Sequence, residues 1–133
     1  IIGAFVSGMD AGKIYNSWPL MGSTYFPDDN KFNQLFTLTA FNDPSLVQFM
    51  HRNLAYVIII FYLLILWKII RDKILELFFI IKIIGFLLSL QIFLGILTLL
   101  YGAQIFIASM HQISSIFLVS SIIYFIYLNK SSN

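Results

Sequence analysis

The sequence predicts an all-α membrane protein, a four-helix transmembrane bundle with one partial and three complete spans. Hydrophobic residues make up 59% of the chain and charged residues only 11%, far from the balance of a soluble domain. The mean hydropathy is +0.88. Three apolar stretches each reach the roughly 20 residues that a helix needs to cross about 30 Å of hydrocarbon. A chain of 133 residues has room for three or four such crossings and little else, so it is one membrane domain.

Residues 1–8, "IIGAFVSG", read as the end of an apolar helix already under way, with no basic leader region before it. The chain is therefore expected to be the C-terminal part of a longer protein. Residues 9–45 hold all three prolines and four of the six acidic residues, which marks a water-facing loop. Its Tyr15, Trp18, Tyr25, Phe26 and Phe36 suit the membrane interface, where amphipathic rings settle. A first complete span runs over 46–70 and closes on the basic Lys68, Arg71 and Lys73. A second covers 74–101, with Glu76 and Lys82 confined to its first turns, and Gly85, Ser89 and Gly95 keep one face slim enough for close helix packing. After the short "YGAQI" turn, a third span covers 106–128, and a polar tail follows at 129–133.

The connection between the first two spans is short and basic, and Lys130 ends the chain on the same side. The positive-inside rule puts both in the cytoplasm or matrix and the 9–45 loop on the opposite, outer side. The absence of cysteine removes disulfides and thiolate metal sites from this chain, so any metal here must use histidine or carboxylate. A net charge of +2 bears on topology and gives no ground for a nucleic-acid partner. Gly8, Gly12 and Gly22 are irregularly spaced and follow no strand, which argues against a phosphate-binding loop.

The chain has two histidines, His51 and His111, each about five residues into a span that descends from the outer face. At roughly 1.5 Å per residue they lie some 7 to 8 Å along their helices, at one level. Ala108, Ser114 and Ser115 share the face of His111 and leave a shallow groove beside it. Spacing leaves two readings open. Histidines near a wet helix end hydrogen-bond across helices; two imidazoles facing across a groove also grip heme iron axially. Arg52 is likewise open between a snorkelling interfacial cation and a partner for heme propionates.

Three blocks go further: "GAFVSGMDAGKIYNSWPLMG" at 3–22, "VQFMHRNLAY" at 47–56 and "QIFLGILTLLYGAQIFIASMHQ" at 91–112. Together they resemble the second half of heme A synthase of the alphaproteobacterial and mitochondrial type, and the resemblance covers nearly the whole chain. It implies half of a pseudo-symmetric eight-helix protein, a membrane oxidoreductase that oxidises a methyl group of heme O to the formyl group of heme A for terminal oxidase assembly. It implies that His51 and His111 are axial ligands of a heme B cofactor, that Arg52 steadies a propionate, and that Trp18 and Met21 belong to a loop roofing the heme. Asp10 and Lys13 stay open between a helix-end ion pair and heme contact. The family's functional glutamate, placed just before the first histidine of the other half, has Gln48 or Phe49 in the comparable place here. No catalytic residue is therefore expected in this half, and these residues alone are expected to be inactive.

The partners so implied are the preceding N-terminal half, heme O delivered by heme O synthase, the bilayer and a second copy in a homo-oligomer. The implied location is a bacterial or mitochondrial inner membrane. The competing function class is a non-enzymatic b-type cytochrome that carries electrons through the same bis-histidine heme. A second histidine pair preceded by glutamate in an N-terminal half separates the synthase from the cytochrome.

Overall fold

The computed structural model describes residues 1–131, and among them it is built of helices and turns without a strand. Its α-helices are α1 (Ile2–Gly8), α2 (Pro44–Arg71), α3 (Phe78–Leu100) and α4 (Ile105–Ser131). Three of the helical segments, Pro44–Arg71, Leu75–Leu100 and Ile105–Lys130, are long and apolar enough to cross a membrane, which makes this a multi-pass membrane protein. Few of their residues are buried within the chain itself, so most of their surface is left for lipid or further helices.

The helix ends follow from local chemistry. Asp43 caps α2, its carboxylate accepting the Leu46 amide at 3.0 Å, and Pro44 sits in the first turn, where its missing N–H costs nothing. The helix thus starts two residues before the expected Leu46. Lys68 and Arg71 occupy its last turn, where cations suit the carbonyl end of the helix dipole. Residues expected to open the second span instead form a 3-10 turn, Leu75–Leu77, before α3 begins. Between α3 and α4 the chain reverses through Gly102 and Ala103, both at positive φ, and the Ala103 amide returns to the Thr98 carbonyl at 2.7 Å. Helix α4 runs on through Ser131 because nothing in "NKS" breaks it, so the expected polar tail at 129–133 is helical that far and its last two residues lie outside the described part.

Helices α3 and α4 form a close antiparallel hairpin, and α2 joins it at the end away from the loop. There Ile69 packs with Leu77, Ile80, Ile81 and Ile84, flanked by Tyr62 and Leu66. The slim face of α3 is used twice. Tyr62 lies flush on Gly85, where an added Cβ would collide with its hydroxyl, and Gly95 receives His111. Ser89 turns back on its own helix and donates to the Gly85 carbonyl at 2.8 Å.

The 9–43 loop folds over the opposite end, with 3-10 turns at Ala11–Lys13, Phe32–Phe36 and Leu38–Asn42. Asn16 ties it to the last turn of α3 through the Leu99 carbonyl at 2.8 Å. The Tyr15 hydroxyl lies 2.5 Å from Asp28 and 3.0 Å from Asp29, whose other oxygen accepts from Ser45 at 2.6 Å. Burial, then the bonds to Asp28 and Asp29, push the Tyr15 phenol well above its ordinary value. Asp10 and Lys13 form an exposed ion pair at 2.8 Å, one turn apart.

Candidate functional site

Helix α2 brings His51 in two turns below its Asp43 cap, and α4 brings His111 in six residues after Ile105. At about 1.5 Å per residue the two lie roughly 10 and 9 Å along their helices, one to two residues deeper than the sequence implied but still level. Their ring centroids stand 6.5 Å apart with the ring planes perpendicular. Each ring edge rests on a glycine. A Cβ at Gly3 of α1 would lie 3.5 Å from His51 Cε1, and one at Gly95 of α3 would lie 3.1 Å from His111 Cε1.

The polar neighbours of the pair are few. Gln91 of α3 places its amide nitrogen 3.3 Å from His111 Nε2 and shares a short hydrogen bond with the hydroxyl of the buried Ser114. His111 Nδ1 is buried and has no hydrogen-bond partner. Among the described residues no three His, Asp or Glu side chains converge on one point.

Inward of the histidines an apolar crevice of about 200 Å³ opens between α2, α3 and α4, lined by Ile58, Phe61, Tyr62, Leu88, Leu118 and Ile122 among others. Its α2 and α4 walls begin seven residues past each histidine, so crevice and histidines share one seam of the bundle.

Arg52, one residue on from His51, is turned toward the loop. Its guanidinium donates to the carbonyls of Ser17 at 2.9 Å, Tyr15 at 3.0 Å and Leu20 at 3.3 Å, and the Gln48 amide also donates to Tyr15 at 3.1 Å. Two side chains one helical turn apart thus hold the same stretch of loop. Each keeps one buried atom without a partner, Gln48 Oε1 and Arg52 Nε. Met21 is buried at the tight turn closed by its amide on the Thr24 carbonyl at 2.7 Å, whereas Trp18, before a cis proline, is nearly half exposed. The loop carries a further contact to α2, from the Tyr25 hydroxyl to Asn53 at 2.6 Å.

Gln91 did not stand out in the sequence as a neighbour of His111. The available signal was its chemistry: a lone carboxamide within an uncharged apolar run calls for a partner.

A profile of the COX15-CtaA family, described as cytochrome oxidase assembly protein, matches residues 1–123. The chain belongs to that family. Among relatives, it is 45% identical over 136 residues to the heme A synthase of Pelagibacter ubique, an alignment that takes in 100% of this chain and 38% of that protein. The heme A synthases of Rickettsia africae and Rickettsia prowazekii are 40% and 39% identical, each over 98% of this chain and 39% of their own length. The chain thus spans well under half the length of these relatives. No solved structure matches it. Family membership agrees with the resemblance read from its three blocks, and the helical membrane fold agrees with the class expected from composition.

Proposed function

We propose that this COX15-CtaA chain is the cofactor-holding half of a heme A synthase, gripping a heme B between α2 and α4 with His51 and His111 as axial ligands. The whole protein then oxidises a methyl group of heme O to the formyl group of heme A for terminal oxidase assembly. The observation that carries the reading is the His51–His111 pair, level across the seam at 6.5 Å between centroids. Two metal–imidazole bonds of roughly 2 Å, with about 1 Å from each nitrogen to its ring centre, need about 6 Å. Two imidazoles alone would leave a bare ion short of ligands, whereas an iron already held in a porphyrin lacks only its axial partners. The unpartnered, buried His111 Nδ1 leaves that ring with unused bonding capacity.

When bound, the heme supplies a one-electron couple. The chain's own residues then have separate tasks. His51 and His111 would bind, and the glycine seat at Gly95 fixes how close the His111 ring can stand to α3. The apolar walls of the crevice keep water out of the seam inward of the pair. Gln48 and Arg52 hold the loop down over the outer end, with buried Met21 among its packed residues. Arg52 keeps its partnerless Nε as the donor left for a propionate, and Trp18 forms the outer skin of the lid. The described membrane-spanning segments carry no carboxylate near the histidines, the one glutamate, Glu76, lying at the far end, so the oxidation chemistry is assigned to the preceding half. A heme held by both His51 and His111 would supply electron relay and not oxygen activation. In this reading the loop faces the periplasm or intermembrane space and the C-terminus faces the cytoplasm or matrix.

The test is the optical and electron-paramagnetic spectrum of the purified membrane protein carrying this chain, beside His51→Ala and His111→Ala. A low-spin bis-histidine signal that either substitution abolishes or turns high-spin supports the ligand pair. An unchanged signal in both variants removes it.

A further inference from the structure

The loop contains one stretch whose chemistry does not suit water. Residues 32–42, "FNQLFTLTAFN", carry no charge, although Lys31 stands just before them and Asp43 just after. They form the 3-10 turns Phe32–Phe36 and Leu38–Asn42, which lead directly into the cap of α2. Phe32 is 62% exposed, Phe36 76% and Leu38 88%, a run of bare apolar side chains. Exposed apolar patches mark a surface that something else covers.

These side chains are braced. Phe49 of α2 is buried and meets Phe26 edge-on at 5.0 Å between centroids; Phe26 meets Phe32 at 5.6 Å, and Phe32 meets Phe36 at 5.5 Å. Edge-on contact is the arrangement that aromatic quadrupoles favour, and here it makes a ladder of rings leading away from the helix. At the other end of the stretch, Phe41 meets Phe5 of α1 at 6.0 Å.

The same contacts set the depth. Helix α2 has 28 residues, about 42 Å at 1.5 Å each, against about 30 Å of hydrocarbon. With Lys68 at one boundary, the other falls roughly 20 residues earlier, beside Phe49. Gly3 of α1 faces His51, so Phe5 lies about 3 Å nearer the loop end than His51, again level with Phe49. Both ends of the ridge are therefore pinned where acyl chains meet headgroups.

The polar groups of the stretch fit that level. The Gln34, Thr37 and Ala40 amides donate to the carbonyls of Lys31 at 2.9 Å, Gln34 at 3.1 Å and Thr37 at 3.1 Å. The Lys31 amide donates to Gln34 Oε1 at 2.6 Å, the Thr37 hydroxyl donates to the Gln34 carbonyl at 2.6 Å, and the Thr39 hydroxyl lies 2.7 Å from that of Thr37. Internal pairing of this kind is what a backbone needs where water is scarce.

We propose that residues 32–41 are a membrane wedge: Phe32, Phe36 and Leu38 insert into the loop-side leaflet, among the acyl chains just below the lipid headgroups. Amphipathic segments settle in this zone with their apolar side chains about 5–10 Å into the boundary. The wedge holds the loop from its lipid side, as Arg52 holds it from α2. It needs no heme and stands apart from the reading of the histidines.

The experiment places single nitroxide labels at Phe36→Cys and Leu38→Cys in the membrane protein carrying this chain, on a background without other cysteine, in phosphatidylcholine vesicles. Power saturation compares collisions with oxygen, which concentrates among acyl chains, and with a water-soluble nickel chelate. Ile60→Cys, exposed in mid-span of α2, is the lipid reference, and Asp10→Cys, exposed beyond the end of α1, is the water reference. Labels at 36 and 38 are expected to meet nickel severalfold less than the label at 10, and to favour oxygen as the label at 60 does. If the labels disturb the loop, Phe36→Trp in vesicles brominated high on the acyl chains replaces them, read against the parent's Trp18 and Trp67. Nickel collisions equal to those at position 10, or no added quenching by the brominated lipid, overturn the proposal. Shielding from both oxygen and nickel overturns it as well, because protein and not lipid then covers the ridge.

Discussion

Replacing Gly95 by alanine isolates the seating of His111 from everything else in the bundle. The new Cβ would meet the ring at 3.1 Å from Cε1, 3.6 Å from Nδ1 and 3.7 Å from Nε2. Relaxed carbon contacts lie at about 3.5–4.0 Å, so ring and α3 must part by about 0.4–0.9 Å. The backbone is affected the other way, because alanine in a helix interior is about 1 kcal/mol better than glycine. The heme-free protein should therefore melt at or above the parent's midpoint. Misplacing a functional group by about 1 Å can cost on the order of 100-fold, so half that shift is expected to weaken heme retention about tenfold. The assay is heme loss to a scavenging protein, followed at the low-spin band, beside a thermal melt of the heme-free form. Gly3→Ala is the control, since its Cβ would meet His51 at 3.5 Å, already an ordinary contact. A Gly95→Ala protein that holds heme like its parent, or a Gly3→Ala protein that loses it as fast, would refute the reasoning.

Arg52→Lys keeps the charge but not the planar fork that reaches three loop carbonyls, so proteolytic cleavage within residues 15–20 should rise severalfold while the histidine pair stays in place. Cleavage at the parent rate would show that the guanidinium does not hold the loop. Asp43→Ala removes the cap of α2 and should cost about 1 kcal/mol, read as a lowered thermal midpoint. The Asp29 carboxyl is pulled up by burial but held below its usual range by hydrogen bonds from Ser45, Tyr15 and Asn30, which outweigh it. A depressed carboxylate stabilises the fold above its unfolded value of about 3.9 and loses that contribution as pH falls through the lower folded value. Thermal midpoints should accordingly be flat with respect to Asp29 between about pH 5 and 8 and fall below about pH 4, and Asp29→Asn should flatten that acid limb. An acid limb of equal depth in Asp29→Asn would show that another group sets it.

The spans were legible because hydrocarbon leaves a chain few options: long apolar runs become helices, and charges gather where they end. The histidine pair was legible for a related reason, since two parallel helices entering from one face carry equal depth in equal residue count. Partner choice was not. Nothing in "HRN" says that Arg52 turns up to the carbonyls of Tyr15, Ser17 and Leu20, because those carbonyls converge only once the loop has folded. Helix α2 starts two residues before the expected Leu46 because Asp43 and Pro44 supply a cap and a first-turn proline, a signal that is local and present in the chain. Gln91 was harder. Its partner lies twenty positions away on another helix, and only the crossing of α3 with α4 selects His111 for it.

The contact of Tyr62 with Gly85 near the inner end of α2 has a mechanical side. Eleven residues separate Tyr62 from His51, a lever of about 16 Å at 1.5 Å per residue. If α2 rocks on that fulcrum by only about 5°, His51 sweeps about 1.4 Å across the seam. The loop grips that outer end through Gln48, Arg52 and Asn53, so α2 is fastened at both ends and the loop works as the strap that keeps this sweep in check.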